Sequence, residues 1–323
     1  MMKLKLIASI LFIGMMFSMN LQAQPVKKHG HLSVKGTQLT DEHGNATILN
    51  GVSYGWHNWW PRFYNQESVQ WLATDWKCSV VRAAMGVDPQ KGYIDQPDWS
   101  KEKIEAVIQG AIKSDIYVLI DWHSHTIKLD QAKLFFAEMA QKYGKNPHVI
   151  YELFNEPVKD SWPMVKAYSV ELIKTIRAID PDNLILVGSP HWDQDIHLVA
   201  DDPIVGYSNI MYTCHFYAGT HGKSLRDHCD YALQKGIPLF ISESAGMEAS
   251  GNGATNYTSW QEWIDWCTTN KISLITWSIA DKNETCSMLN TSASAEGNWK
   301  TEDLKESGIK TRELLRKLAG ENE

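Results

Sequence analysis

Cysteine is scarce, and its scarcity removes whole classes. Five cysteines in 323 residues, irregularly placed at Cys78, Cys214, Cys229, Cys267 and Cys286, exclude a disulfide-dense scaffold. No CxxC pair offers a structural metal knuckle, so mostly buried free thiols are expected, with at most one or two bridges. Positive charge is also short. Thirty-one Lys+Arg against 38 Asp+Glu give a net charge of −7, which excludes a general phosphate-binding surface and hence a nucleic-acid partner. No GxGxxG turn follows the first strand-like segment, which argues against a doubly wound dinucleotide fold. There is no Ser/Pro/Gly linker, low-complexity tract or internal repeat, so no appended binding module is expected.

Long apolar runs are missing too, with one exception at residues 6–17. Lys3 and Lys5 precede it and Leu21-Gln22-Ala23-Gln24 follows, which is the pattern of a secretory signal cleaved after Ala23. The run is shorter than the ~20 residues that span a bilayer. No Cys follows the cleavage point to carry a lipid. A signal at 1–23 and an exported chain at 24–323, extracellular or periplasmic and free of the membrane, are therefore expected. Cleavage removes Lys3 and Lys5 but no acid, moving the net charge from −7 to −9. Such a chain suits a neutral partner.

What is present is an alternation. Segments rich in Val, Ile, Leu and Tyr at 48–54, 80–85, 117–123, 149–156, 184–189, 210–217, 238–243 and 273–279 lack strict polar alternation, as strands buried on both faces do. Between them lie helical stripes. Ser100 is read as an N-cap before Ile104, Val107, Ile108, Ala111 and Ile112. Ser161 caps a second, with Pro163 in its first turn. Others fall at 131–143, 225–234, 260–269 and near 311–318. Eight such units predict an α/β fold, a single-domain (β/α)8 TIM barrel, over an open sheet. Segments 32–34 and 36–39, with a turn at 41–45, predict a hairpin plugging the barrel floor.

In such a barrel the reactive groups stand at the C-terminal strand ends. Glu156 and Glu243 end the fourth and seventh strands, each behind an apolar run. Two carboxylates facing across a cleft are the machinery of glycoside hydrolysis, one to protonate the leaving oxygen and one to attack or to activate water. Seven of the fourteen Trp (Trp56, Trp59, Trp60, Trp122, Trp162, Trp192 and Trp277) follow or end strands, where an indole face packs on a sugar ring. A metal-dependent hydrolase built on His123, His125, His191, His215 and Asp281, and a non-catalytic glycan-binding barrel, are the competing readings.

The run Tyr151-Glu152-Leu153-Phe154-Asn155-Glu156-Pro157 resembles the signature of glycoside hydrolase family 5, the bacterial endo-β-1,4-glucanases or cellulases. So do Arg82-Ala83-Ala84-Met85, Ile120-Asp121-Trp122-His123, 178–183, 215–221 and 249–253, and the resemblance spans about Gly36 to Leu318. It implies a retaining hydrolase of internal β-1,4 bonds in cellulose or related β-glucans, a monomer needing no cofactor or metal. Mannan, xyloglucan and mixed-linkage glucan are alternative substrates. It implies Glu156 as acid/base and Glu243 as nucleophile; because like charges across a narrow cleft resist double ionisation, Glu156 is expected to have the raised pKa. Arg82 and Tyr217 would keep Glu243 ionised and Asn155 would hold the sugar 2-hydroxyl. His123 and His215 would be paired site histidines and Trp277 a subsite floor. Trp59, Trp60, Ala249, Ser250, Lys282 and Glu284 match substrate contacts. The chain departs from the family at Gly55, Gly86 and Ser244, with His57 a candidate replacement for a histidine at Gly55.

Overall fold

The computed structural model describes residues 24–321. Eight parallel strands close into a barrel: β3 (Asn50–Tyr54), β4 (Val80–Gly86), β5 (Tyr117–His123), β6 (Val149–Glu152), β7 (Ile185–Val187), β8 (Ile210–Tyr217), β9 (Leu239–Ala245) and β10 (Leu274–Ile279). Pairing of Leu274 with Asn50 closes the ring. Before it come helix α1 (Pro25–His29) and a hairpin of β1 (Ser33–Lys35) and β2 (Gln38–Thr40). The outer shell holds α2 (Gln66–Thr74), α3 (Pro97–Ser114), α4 (Leu129–Tyr143), α5 (Trp162–Arg177), the turn α6 (Pro190–Asp193), α7 (Ile196–Asp201), α8 (Lys223–Gln234), α9 (Tyr257–Asn270) and α10 (Glu306–Leu318). The single-domain (β/α)8 expectation holds. The expected signal at 1–23 lies outside the described residues.

Alternation along the strands makes two cores. On β4, Val81, Ala83 and Met85 pack outward against the helices, in one cluster with Leu72, Ile104 and Ile108. Val80 turns inward and joins Tyr117, Leu119, Ile150, Leu186, Met211, Phe240 and Ile275 on the barrel axis. Val26, Leu32 and Leu39 from α1 and the hairpin complete this inner cluster, so they close the floor. The next inward positions up the strands are no longer apolar. Arg82, Asp121, Glu152, Thr213 and Ser242 stand there, all buried. Burying charge costs free energy unless it is paired, so this layer needs a network.

Several boundaries differ from the sequence reading. The hairpin turns at Gly36, which takes φ +61°, rather than at 41–45. Asp41 makes the later turn by accepting from the backbone N–H of His43 and Asn45. Helix α3 begins at Pro97, a residue pre-shaped for a first turn. Ser100 is thus inside the helix and buried, not its cap. Helix α2 was not read, although Asn65 caps it through its side chain. Strand β6 ends at Glu152, leaving Glu156 four residues into the following loop. All five cysteines are buried and unbridged.

Candidate active site

Arg82 organises the mouth of the barrel. It is fully buried on β4, and its guanidinium reaches Glu152 at 2.6 Å, Glu243 at 2.9 Å and Asp121 at 3.0 Å. It also donates to Asn155 Oδ1 at 2.6 Å. Five fixed N–H groups let one cation face several carboxylates at once, which Lys could not do. Burial drives the Glu152 carboxyl upward, but Arg82 and His215 more than reverse it and bring it down to about 2.

Glu243 faces the cleft because β9 carries a bulge. Thr213 pairs with Phe240 and His215 with Glu243, so two steps on β8 match three on β9. Simple alternation would turn Glu243 away from the inward-facing Phe240 and Ser242. The extra residue re-aims it, as bulges near active sites do. Its oxygens then accept from Arg82 Nη1 at 2.9 Å and from the Tyr217 hydroxyl at 2.7 Å.

Glu156 is held by two imidazoles, with His215 Nδ1 at 3.1 Å from one oxygen and His125 Nε2 at 3.2 Å from the other. Burial pushes its carboxyl up, yet the bonds to His125 and His215 carry it below the usual range. This reverses the expectation of a raised Glu156 in the free protein. That expectation counted the neighbouring carboxylate but not the two histidine donors. His215 is driven upward despite its burial, by Asp193, Glu152 and Glu156 around it. Its Nε2 meets Ser242 Oγ at 2.9 Å and stands 3.4 Å from Asp193. An oxygen of Glu156, one of Glu243 and a nitrogen of His215 lie within 4.8 Å of one another, a donor set that could also hold a cation.

Aromatic rings wall this centre. Trp277 stacks on His123 at 5.3 Å with planes 8° apart, and His123 Nδ1 is held by Asp121 at 2.6 Å. Trp56 meets His123 edge-on, and Trp59 and Trp60 continue from it. Trp59 is 51% exposed and Trp192 41%, so both offer ring surface to solvent. Trp122 and Trp162 are not at the rim. Trp122 packs with Tyr93, Phe135 and Phe136 because, like Met85 beside it on β4, it points outward to the helices. Trp162 starts α5 and donates its indole N–H to Asp202 O.

Ala249 and Ser250 are exposed in the loop after β9, and Ala249 N–H bonds Thr220. Lys282 pairs with Glu284, whose carboxylate lies against Gly251, so these four gather on one edge of the mouth. Asp281 is apart from the histidines and pairs with Arg62 at 2.8 Å. His57 does not replace a histidine at Gly55. It is buried, with Nε2 on Ser100 Oγ at 2.8 Å and Nδ1 accepting from Gly86 N–H, and burial takes its pKa down to about 3. The departures at Gly55 and Gly86 have steric causes. A Cβ on Gly55 would meet Ala280 and the Trp60 ring at 3.0 and 3.1 Å, and one on Gly86 would meet Asn58 and Trp56 at 2.3 and 2.8 Å. Glu152 and Asp193 are site residues that the sequence did not single out, and His125, a candidate metal ligand in sequence, is here a hydrogen-bond partner of Glu156. Glu152 carried a usable signal, since it is two residues beyond Ile150 on the inward face.

The family model for cellulase (glycosyl hydrolase family 5) matches residues 40–283. The chain belongs to glycosyl hydrolase family 5. An endoglucanase of Clostridium saccharobutylicum is 44% identical over 87% of this chain and 64% of its own length. Endoglucanase 5 of Pectobacterium carotovorum is 40% identical over 99% of this chain and 63% of its own. The chain therefore spans somewhat under two thirds of these relatives. A solved structure from Cytophaga hutchinsonii superposes with a TM-score of 0.90 at 43% identity, covering 92% of this chain and 98% of that one. The catalytic domain of a Thermobifida fusca endoglucanase, in complex with cellotetraose, matches with a TM-score of 0.86 at 32% identity, covering 91% and 100%.

Proposed function

We propose that this chain is a retaining endo-β-1,4-glucanase acting on internal bonds of cellulose or a related β-glucan. The observation that carries the reading is the facing pair Glu156 and Glu243, with oxygens within 4.8 Å at an aromatic-walled barrel mouth. Retaining glycosidases keep their carboxyl groups ~5–5.5 Å apart and inverting ones ~6.5–9.5 Å, with room for a water. The short gap suits direct attack. The cellotetraose held by the Thermobifida fusca domain supports a glucan chain as the occupant of the cleft.

In the first step Glu243 attacks the anomeric carbon as the bond to the leaving oxygen breaks, and Glu156 delivers a proton to that oxygen. In the free protein the proton of this pair rests on the His215 side, since the geometry holds Glu156 low. A bound glycan excludes water from Glu156 and favours its neutral form, so the proton passes from His215 Nδ1 to the carboxylate. In the second step Glu156 takes a proton from water, the water attacks the anomeric carbon, and Glu243 leaves as a carboxylate. Asn155, fixed by Arg82, faces the 2-hydroxyl, and Trp277 floors the adjoining subsite. Trp59, Trp60, Ala249, Ser250, Lys282 and Glu284 contact the chain further along.

We also read residues 1–23 as an export signal and 24–323 as the catalytic barrel, working as a monomer outside the cytoplasm. Among the described residues no helix is long and apolar enough to cross a membrane. Chemical rescue tests the roles. With an activated aryl cellobioside and azide, Glu156→Ala should yield the β-glycosyl azide and Glu243→Gly the α-glycosyl azide. The opposite anomers would reverse the assignment.

A further inference from the structure

A second cluster of ligand-type side chains lies outside the cleft and takes no part in the chemistry above. Asp195 precedes α7, His197 stands in its first turn, and His228 comes from α8. One ligand atom from each lies within 4.8 Å of the other two. The two imidazole rings are 4.2 Å apart, close even for neutral rings. Two further observations point to a missing ligand. His197 Nδ1 is buried and has no hydrogen-bond partner. His228 Nδ1 faces the carbonyl of Gln194 at 3.3 Å, so it carries the proton and leaves Nε2 with a free lone pair. A backbone carbonyl on the far nitrogen is the usual support of a metal-binding histidine.

We propose that Asp195, His197 and His228 form a zinc-class metal site. Two imidazoles and one carboxylate, with a water as fourth ligand, match the preferences of Zn²⁺ over those of Ca²⁺ or Mg²⁺. Bonds of ~2.0–2.2 Å require the ligand atoms to draw closer than they stand, and all three side chains are only partly buried and can turn. A hollow of about 500 Å³ lined by His191, Asp195, Leu198 and Asp202 opens to Asp195 and supplies an entry path.

The site's position gives it a consequence. His191, Trp192 and Asp193 all have positive φ, at 57°, 55° and 59°, an arrangement non-glycine residues hold only when anchored. Asp193 anchors the far side, accepting from Ser189 N–H at 2.7 Å and from Thr213. A metal on Asp195 and His197 would anchor the near side and steady Trp192, whose backbone N–H bonds the carbonyl of Pro157, the residue after Glu156, at 3.0 Å. That coupling rests on the glucanase reading; the metal site does not.

The test uses the full mature chain, stripped with a chelator. Calorimetric titration with zinc should show one equivalent bound, and Co²⁺ should give the intense visible band of tetrahedral coordination. At a hundredfold excess over Kd, zinc should raise Tm by roughly 4 °C for a domain of this size. His228→Gln and Asp195→Asn should each lose the cobalt band while keeping the metal-free activity, which shows that they fold. Glu156→Gln should keep the band. No saturable binding, or binding untouched by both variants, would overturn the site. Loss of the band only in Glu156→Gln would place the metal in the cleft and overturn it equally. With one equivalent of zinc, KM for soluble cellulose should fall in the wild type and not in His228→Gln. Binding with KM unmoved would refute the coupling to Trp192 alone.

Discussion

Replacing Arg82 by Met tests the polar layer in the barrel most directly. The guanidinium is fully buried against Glu152, Asp121 and Glu243, and among the described residues no other arginine or lysine pairs with these three. Removing one partner of a buried ion pair costs about 3–5 kcal/mol, because the remaining charge is stranded. Glu152 shows the same dependence: burial pushes its carboxyl up, and Arg82 with His215 overrides this and holds it at about 2. With an unfolding entropy near 2.1 cal/mol/K per residue, a chain of about 300 residues should lose about 5–8 °C in Tm at pH 7. The pH dependence has a definite sign. A depressed carboxyl stabilises fully above its unfolded pKa and loses that contribution as pH falls toward 2. In Arg82→Met, Glu152 is raised by burial instead, so protonation relieves the variant as pH falls. The Tm gap should therefore shrink between pH 7 and pH 4. Calorimetry across that range checks it. A gap under 1 °C at pH 7, or one that stays constant with pH, would refute the argument.

Other outcomes follow from single contacts. His125→Asn removes a donor that lowers Glu156, so the basic limb of kcat/KM should move to higher pH; an unmoved or lowered limb would count against His125 acting on Glu156. Trp192→Ala should raise KM on soluble cellulose roughly 2–10-fold at nearly constant kcat, the range of one aromatic contact. Trp122→Ala should instead cost about 3–5 kcal/mol of stability, because that ring is in the core, and a KM effect without destabilisation would contradict this. Cleavage inside the chain should drop the viscosity of soluble cellulose well before reducing ends accumulate, and steady disaccharide release at constant viscosity would exclude an endo mode.

The eight strands were legible because each is buried on both faces, and a continuous Val/Ile/Leu run needs no partner to be recognised. Strands β5 and β8 fall at their expected limits. Glu156 and Glu243 stood out as acids downstream of apolar runs, although β6 closes at Glu152 and Glu156 stands in the loop beyond it. The floor hairpin was visible as a pair of strands, though its turn was misplaced because a glycine in the left-handed region outranks the more polar stretch that follows.

Facing was not legible. Trp56 and Trp122 look alike in sequence, yet Trp56, in the loop after β3, reaches His123, while Trp122 points to the helix shell because inward and outward alternate along β5. The bulge in β9 breaks that alternation, and with it the rule that would have turned Glu243 away. The partners of Arg82 come from β5, β6, β9 and the loop after β6, joined only when the barrel closes. The low pKa of Glu156 depends on His125 and His215, 31 and 59 residues from it. Local propensity and burial are properties of short stretches and can be read from them. Direction across a closed barrel, and the charge state that follows from it, belong to distances that exist only once the chain has folded.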